Sequence, residues 1–131
     1  MGFFDKMFKA EDKGDKVEKE SVPWIQLETI EMLEQLEAES FNQPVAILKH
    51  STSCGISRMV LRQFESEYNL EQGSVKLYFL DLLRFRDISN RIAAKFNIPH
   101  ESPQLIIIKD GKAVQDTSHS NINVDFLREA I

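Results

Sequence analysis

Cysteine is nearly absent from this chain of 131 residues: Cys54 is the only one. One thiol cannot close an internal disulfide, which excludes a disulfide-stapled secreted scaffold. Basic clusters are missing too. The net charge is -5 and the pI is about 5.2, which argues against a nucleic-acid binder, since such proteins meet phosphates with a basic face. No apolar run approaches the roughly 20 residues of a membrane span. MGFFDKMFK at the start lacks the apolar stretch of about 7–15 residues of a signal peptide. A reducing cytoplasm is therefore the expected compartment. No internal repeat is visible. With 42% hydrophobic and 28% charged residues, the chain reads as one ordinary globular domain, too short for two.

The first 21 residues read as a tail. Positions 9–20, KAEDKGDKVEKE, carry mixed charges and too little apolar surface to offset the entropy of ordering; they read as a flexible tether or a solvated helix. Phe3, Phe4, Met7 and Phe8 precede them at a spacing that suits a short amphipathic turn. Such a turn either touches a membrane surface or partner weakly, or frays. Gly2 does not make a myristoylation site, because Lys6 stands where Ser or Thr is required.

The domain is expected over 22–131. Trp24–Leu27 reads as a short strand, and Thr29–Ala38 as an amphipathic helix with Ile30, Leu33 and Leu36 on one face. Val45–Leu48 is a continuous apolar run, the pattern of a strand buried on both faces. After the Cys54 loop, Ile56, Val60, Leu61 and Phe64 recur at helical spacing to about Tyr68. Val75–Leu80 is a second buried strand. Asp87–Phe96 is a helix with Ile88, Ile92, Ala93 and Phe96 inward. Leu105–Ile108 is a third buried strand, Asp110-Gly111 a tight hairpin turn, and Ala113–Ser118 the return strand. A helix over Asn121–Ala130, with Val124, Phe126 and Leu127 inward, closes the chain. The order β-α-β-α-β-α-β-β-α predicts an α/β fold: a central mixed sheet of four or five strands with helices on both faces. That order resembles a thioredoxin-like domain.

Cys54 falls between a strand and a helix that starts at about Gly55. A thiolate there faces unpaired backbone N–H groups and the positive end of the helix macrodipole. Both lower its pKa below the free value of about 8.5, and the thiolate is the form that attacks a disulfide. Ser57 lies one turn on, on the same side, where its hydroxyl donates to the sulfur but cannot resolve a mixed disulfide. Gly55 permits close approach. The polar neighbours Ser51, Thr52, Ser53, Gly55 and Ser57 argue against an inert core cysteine.

Ser102-Pro103 stands just before a strand, where a thioredoxin-like domain has a cis proline. The cis bond would leave the backbone of Ser102 free to pair with an extended substrate beside the sulfur. His50, His100 and His119 read as surface or capping residues, each of a type able to lower the Cys54 pKa or carry a proton. No pair has metal-ligand spacing, so no metal site is expected. A Cys-His hydrolase would need an oriented histidine against Cys54, and no motif for that is present.

Lys49-His50-Ser51-Thr52, Cys54-Gly55-Ile56-Ser57, His100-Glu101-Ser102-Pro103-Gln104 and Ser118-His119-Ser120-Asn121-Ile122 together resemble the monothiol bacilliredoxins of the bacilliredoxin C type. The resemblance covers roughly Val22–Ile131. It implies a thioredoxin-like fold and removal of bacillithiol, as co-substrate and without a tightly bound cofactor, from proteins that carry mixed disulfides. Cys54 would be the attacking thiolate, Pro103 the cis proline, and Gly55, Ile56, Ser57, Ser102 and Pro103 the thiol-binding groove. The family motif reads Thr-Cys-Pro-Ile-Ser, and here Gly55 replaces the proline. That glycine resembles the Cys-Gly-Phe-Ser of monothiol glutaredoxins, which implies an alternative, an iron–sulfur cluster carrier in which small thiols complete the ligands. The glutaredoxin Gly-Gly-Asp signature is absent ahead of the last helix. A second alternative is a non-catalytic thioredoxin-like interaction module.

Overall fold

Three apolar runs form the middle of a five-stranded sheet. The computed structural model describes residues 22–131; the expected tail, with Phe3, Phe4, Met7 and Phe8, lies outside the described residues. The elements are β1 (Ile25–Gln26), α1 (Ile30–Glu39), β2 (Val45–His50), α2 (Gly55–Glu67), β3 (Lys76–Asp81), α3 (Arg86–Phe96), β4 (Gln104–Lys109), β5 (Lys112–Ser118) and α4 (Val124–Ala130), with a 3-10 turn over His119–Asn121. The sheet order is β1-β3-β2-β4-β5. β1, β3 and β2 run parallel, and β4 and β5 antiparallel to their neighbours.

β2 is buried at all six positions, as its apolar run requires of a strand covered on both faces. Alternate residues of the strand point to opposite faces. Ala46 and Leu48 join Leu77, Leu105 and Ile107 against Val60 and Phe64 of α2 and Val124, Leu127 and Ala130 of α4. Val45 and Ile47 join Tyr78, Leu80, Ile106 and Ile108 against Leu33 and Leu36 of α1 and Ile88, Ile92 and Phe96 of α3. Each fully buried Leu, Ile or Phe contributes about 1.5–3 kcal/mol, so these two layers are the main source of stability.

Boundaries moved where side chains compete with the backbone. Thr29 is a cap, not a helical residue: its hydroxyl accepts the Met32 N–H at 3.1 Å, the usual role of Thr at this position. The last helix starts at Val124 instead of Asn121, because the Asn123 side chain accepts the Phe126 N–H at 2.8 Å and caps it. β1 is two residues long, shorter than expected, and pairs with β3. Ile56 leaves the expected apolar stripe of α2 and is 48% exposed; Ser57 takes the buried position instead.

The Asp110-Gly111 turn formed as expected, with positive φ at both residues (53° and 77°), the geometry of a two-residue hairpin. Ser40, at the end of α1, fastens it. Its carbonyl accepts the Asp110 N–H at 2.9 Å and its hydroxyl the Gly111 N–H at 2.8 Å. A Cβ on Gly111 would lie 2.9 Å from the Phe41 ring. Gly111→Ala should therefore cost about 1–2 kcal/mol, mostly from the left-handed backbone. Urea unfolding measures this, and adding Phe41→Ala should restore only the smaller, steric part.

Candidate functional site

β2 ends at His50, whose carbonyl accepts the Leu82 N–H at 3.0 Å. The chain then turns through Ser51, whose carbonyl accepts the Cys54 N–H at 3.1 Å. Cys54 is the N-cap of α2, extended at φ -102°, and its carbonyl accepts the Arg58 N–H at 3.1 Å. The partly exposed sulfur thus stands at the positive end of a 13-residue helix. β2 leads into α2 on one face of the sheet, and the adjacent parallel β3 leads into α3 on the other. In open α/β sheets such a divergence at the carboxyl ends of neighbouring strands opens the ligand crevice.

The sulfur makes no side-chain bond that caps the helix. The Ser57 amide first, then the Ser57 hydroxyl, then the Ile56 amide and the Arg58 charge nevertheless favour the thiolate. They hold the thiol pKa below its ordinary value against the opposing effect of desolvation. Ser57 is fully buried, and the Ser51 N–H approaches its Oγ at 3.5 Å, which leaves the hydroxyl proton for the sulfur. Arg58 donates from Nη1 to the Thr52 carbonyl at 3.0 Å, folding back over the loop. Gly55 is exposed, and a Cβ there would meet nothing nearer than Arg58 Nη2 at 4.0 Å.

The Ser102-Pro103 bond is cis, as expected. The loop that contains it reaches the same end of the sheet, because β4 is antiparallel to β2 and Gln104 pairs with Lys49. Pro103 is buried and Ser102 partly exposed. Gln104, fully buried, fastens the loop: its Oε1 accepts the Glu101 N–H at 3.3 Å and its Nε2 donates to the Pro99 carbonyl at 3.1 Å. The His119 N–H donates to the Pro103 carbonyl at 3.0 Å.

Only two of the three histidines are surface residues. His119 is exposed, in the left-handed region at φ 57°. His100 is exposed but receives Lys49 Nζ at Nδ1, 3.2 Å away. His50 corrects the expectation: it is buried, packs on Phe79 with ring centroids 5.1 Å apart, and its Nδ1 has no partner among the described residues. Burial lowers its pKa, against the opposing charges of Asp81 and Glu65, and so favours the neutral ring.

The sequence reading missed Lys49 as a site residue. It is fully buried and reaches the Ser89 carbonyl (3.4 Å) as well as His100. Burial pulls its pKa from 10.5 to about 8. The available signal was its register: a lysine two residues past Ile47 shares the face of Val45 and Ile47. Ile56 and Met59, in the first half of α2, are exposed at 48% and 56%. Among the described residues, no group of three or more His, Cys, Asp or Glu is placed to hold a metal ion.

A lone thiol at a helix N-terminus, at the same end of a mixed sheet as a loop with a cis proline, defines a thioredoxin-fold thiol protein. Solved structures agree. The chain is 38% identical to an oxidoreductase candidate with a thioredoxin fold, covering 81% of this chain and 91% of that one at a TM-score of 0.69. It is 28% identical to Fasciola hepatica thioredoxin (81% and 94% covered, TM-score 0.59). Malassezia sympodialis thioredoxin, 19% identical (86% and 92% covered, TM-score 0.63), shares the fold. The family model described as monothiol bacilliredoxin BrxC matches residues 25–127. The chain belongs to the monothiol bacilliredoxin family, and this membership supports a thiol–disulfide redox function.

Two measurements test this geometry. Ser57→Ala removes one of the two Ser57 donors and should raise the Cys54 pKa. The pH profile of iodoacetamide alkylation then moves to higher pH, and an unmoved profile would show that the hydroxyl plays no part. Lys49→Met should stabilise the fold by about 1–3 kcal/mol at pH 7. The sign follows from linkage. The folded pKa (about 8) lies below the unfolded 10.5, so burial opposes folding below pH 8, and that penalty fades between pH 8 and 10.5. The variant's advantage in urea unfolding should shrink over the same window.

Proposed function

We propose that this chain removes a low-molecular-weight thiol, bacillithiol or a close analogue, from mixed disulfides on protein cysteines. Cys54 is the attacking thiolate. Its sulfur bonds to the small thiol's sulfur as the existing S–S bond breaks. The target cysteine leaves as a thiolate and takes a proton from water. Cys54 now carries the small thiol, and a second small-thiol thiolate attacks that disulfide. This releases the small thiol as its own disulfide and returns the Cys54 thiolate. The electrons come from the second small thiol, so no tightly bound cofactor is needed.

The observation that carries this reading is Cys54 at the N-cap of α2 with Ser57, not a second cysteine, one turn on. In this reading Gly55, Ile56, Ser57, Ser102 and Pro103 form the groove that takes the small thiol. The partners are proteins that carry such mixed disulfides and the free small thiol, met in a reducing cytoplasm. No helix among the described residues is long and apolar enough to cross a membrane.

Intact-mass analysis of the reduced protein, mixed with equal amounts of bacillithiol disulfide and glutathione disulfide, tests it. One dominant adduct of bacillithiol mass, absent in Cys54→Ser, is expected, followed by release of bacillithiol from a modified target protein. No adduct at neutral pH would refute the exchange cycle. Equal adducts would refute the choice of bacillithiol.

A further inference from the structure

Lys49 breaks a rule of sheet interiors. Its side chain is fully buried on the face that Val45 and Ile47 share, yet its ammonium has no carboxylate partner among the described residues. Its contacts are the Ser89 carbonyl on α3, at 3.4 Å, and His100 Nδ1, at 3.2 Å. Lysine is almost never fully buried unpaired, and a methionine would fill the same space without the desolvation cost. Departures of this kind gather at functional positions.

His100 gives the departure a direction. It belongs to the irregular segment between α3 and β4 that also holds Ser102 and Pro103. The ammonium donates to Nδ1, so Nδ1 is the acceptor and the ring proton sits on Nε2. Ser89 Oγ lies 3.4 Å from the same nitrogen. The loop's other ties are the Gln104 side chain and the His119 amide. Gln104 is the strand partner of Lys49. One rung of the sheet therefore holds this loop twice, once through the backbone by Gln104 and once through a side chain by Lys49.

We propose that Lys49 and His100 are positioning residues: they clamp the loop carrying Ser102 and Pro103 where a mixed-disulfide protein is held against Cys54. The proposal rests on the thiol-removal reading above. The clamp acts through the loop and leaves the sulfur itself alone; only Arg58 among the charged groups bears on the Cys54 pKa.

Lys49→Met and His100→Ala, each in the full chain, test it. His100 is exposed, so its variant breaks the same contact from the loop side and leaves the core untouched. Both variants should cut the second-order rate with a small-thiol-carrying protein about tenfold, as misplacement of a binding element does. Alkylation of Cys54 by iodoacetamide, which needs no loop contact, should be unchanged, which separates the clamp from general unfolding. Hydrogen exchange at the Glu101 amide should quicken. In Lys49→Met the His100 imidazole should titrate at higher pH by NMR: burial and the Lys49 charge both lower it, Arg86 adds to this, and Glu101 opposes. Unchanged transfer rates in both variants would overturn the proposal, even with a shifted His100 titration, because the contact would then exist without positioning anything. A wild-type chain that transfers no small thiol would sink the functional reading and the substrate half of the clamp, and Glu101 exchange alone would then decide whether the loop is held.

Discussion

The reactive end of this molecule depends on where β2 stops. Its six residues are buried on both faces, and both edges are hydrogen-bonded, to β3 on one side and β4 on the other. A slip by one residue would exchange the Val45 and Ile47 set with the Ala46 and Leu48 set between two layers packed to different shapes. Its end at His50 is therefore fixed, and with it the loop Ser51–Cys54 and the first turn of α2. The same pairing fixes the start of β4, so Gln104 and the Pro103 loop reach the same level as the end of β2. Cys54 and the Pro103 loop share one end of the sheet because of a register set by core packing.

Two ionisable residues close this strand, one to each face. Lys49 enters the α1 and α3 layer, and His50 the α2 and α4 layer. Both are desolvated, and in both the charged form is disfavoured. The Cys54 sulfur takes its character mainly from groups that do not titrate: the Ser57 amide, the Ser57 hydroxyl and the Ile56 amide. Backbone dipoles hold the same strength across the physiological pH range. A thiolate favoured mainly by them responds to its own proton more than to its neighbours'. Arg58 adds a single positive charge in a chain of net charge -5, and its tie to the Thr52 carbonyl keeps that charge over the loop.

What the sequence made legible followed from periodicity and turn chemistry. Val45–Leu48, Val75–Leu80 and Leu105–Ile108 announced buried strands because nothing polar interrupted them. Asp110-Gly111 announced a hairpin because only such residues accept two positive φ angles. The His100–Gln104 and Ser118–Ile122 stretches carried the family resemblance, and the fold joins them: Gln104 pairs with Ser118, and His119 bonds to Pro103. What stayed hidden were properties of the third dimension. Composition gives no reason to bury Lys49 or His50; their depth follows from their neighbours in the sheet. Ile56 reads as core by spacing, but α2 buries Ser57, Val60 and Phe64, and that rotation about the helix axis leaves Ile56 exposed.

Gly55 is the remaining departure from the Thr-Cys-Pro-Ile-Ser motif of the resemblance, which carries proline there. Its backbone is helical, so no positive φ demands glycine. Position N1 of a helix accepts proline readily, because its N–H has no partner within the helix. The donors that favour the thiolate lie one and two residues further on, at Ile56 and Ser57, and neither residue at position 55 alters them. The exchange of proline for glycine therefore leaves the electrostatics of the sulfur intact. What it changes is steric: the space above the first turn is open until Arg58 Nη2 at 4.0 Å. The proposed one-thiol cycle admits two different partners to the same sulfur in turn, first a bulky protein and then a small thiol. An uncovered first turn suits that alternation better than a ring would. The glycine thus bears on who reaches Cys54, and the Ser57 amide and hydroxyl bear on what Cys54 does once reached.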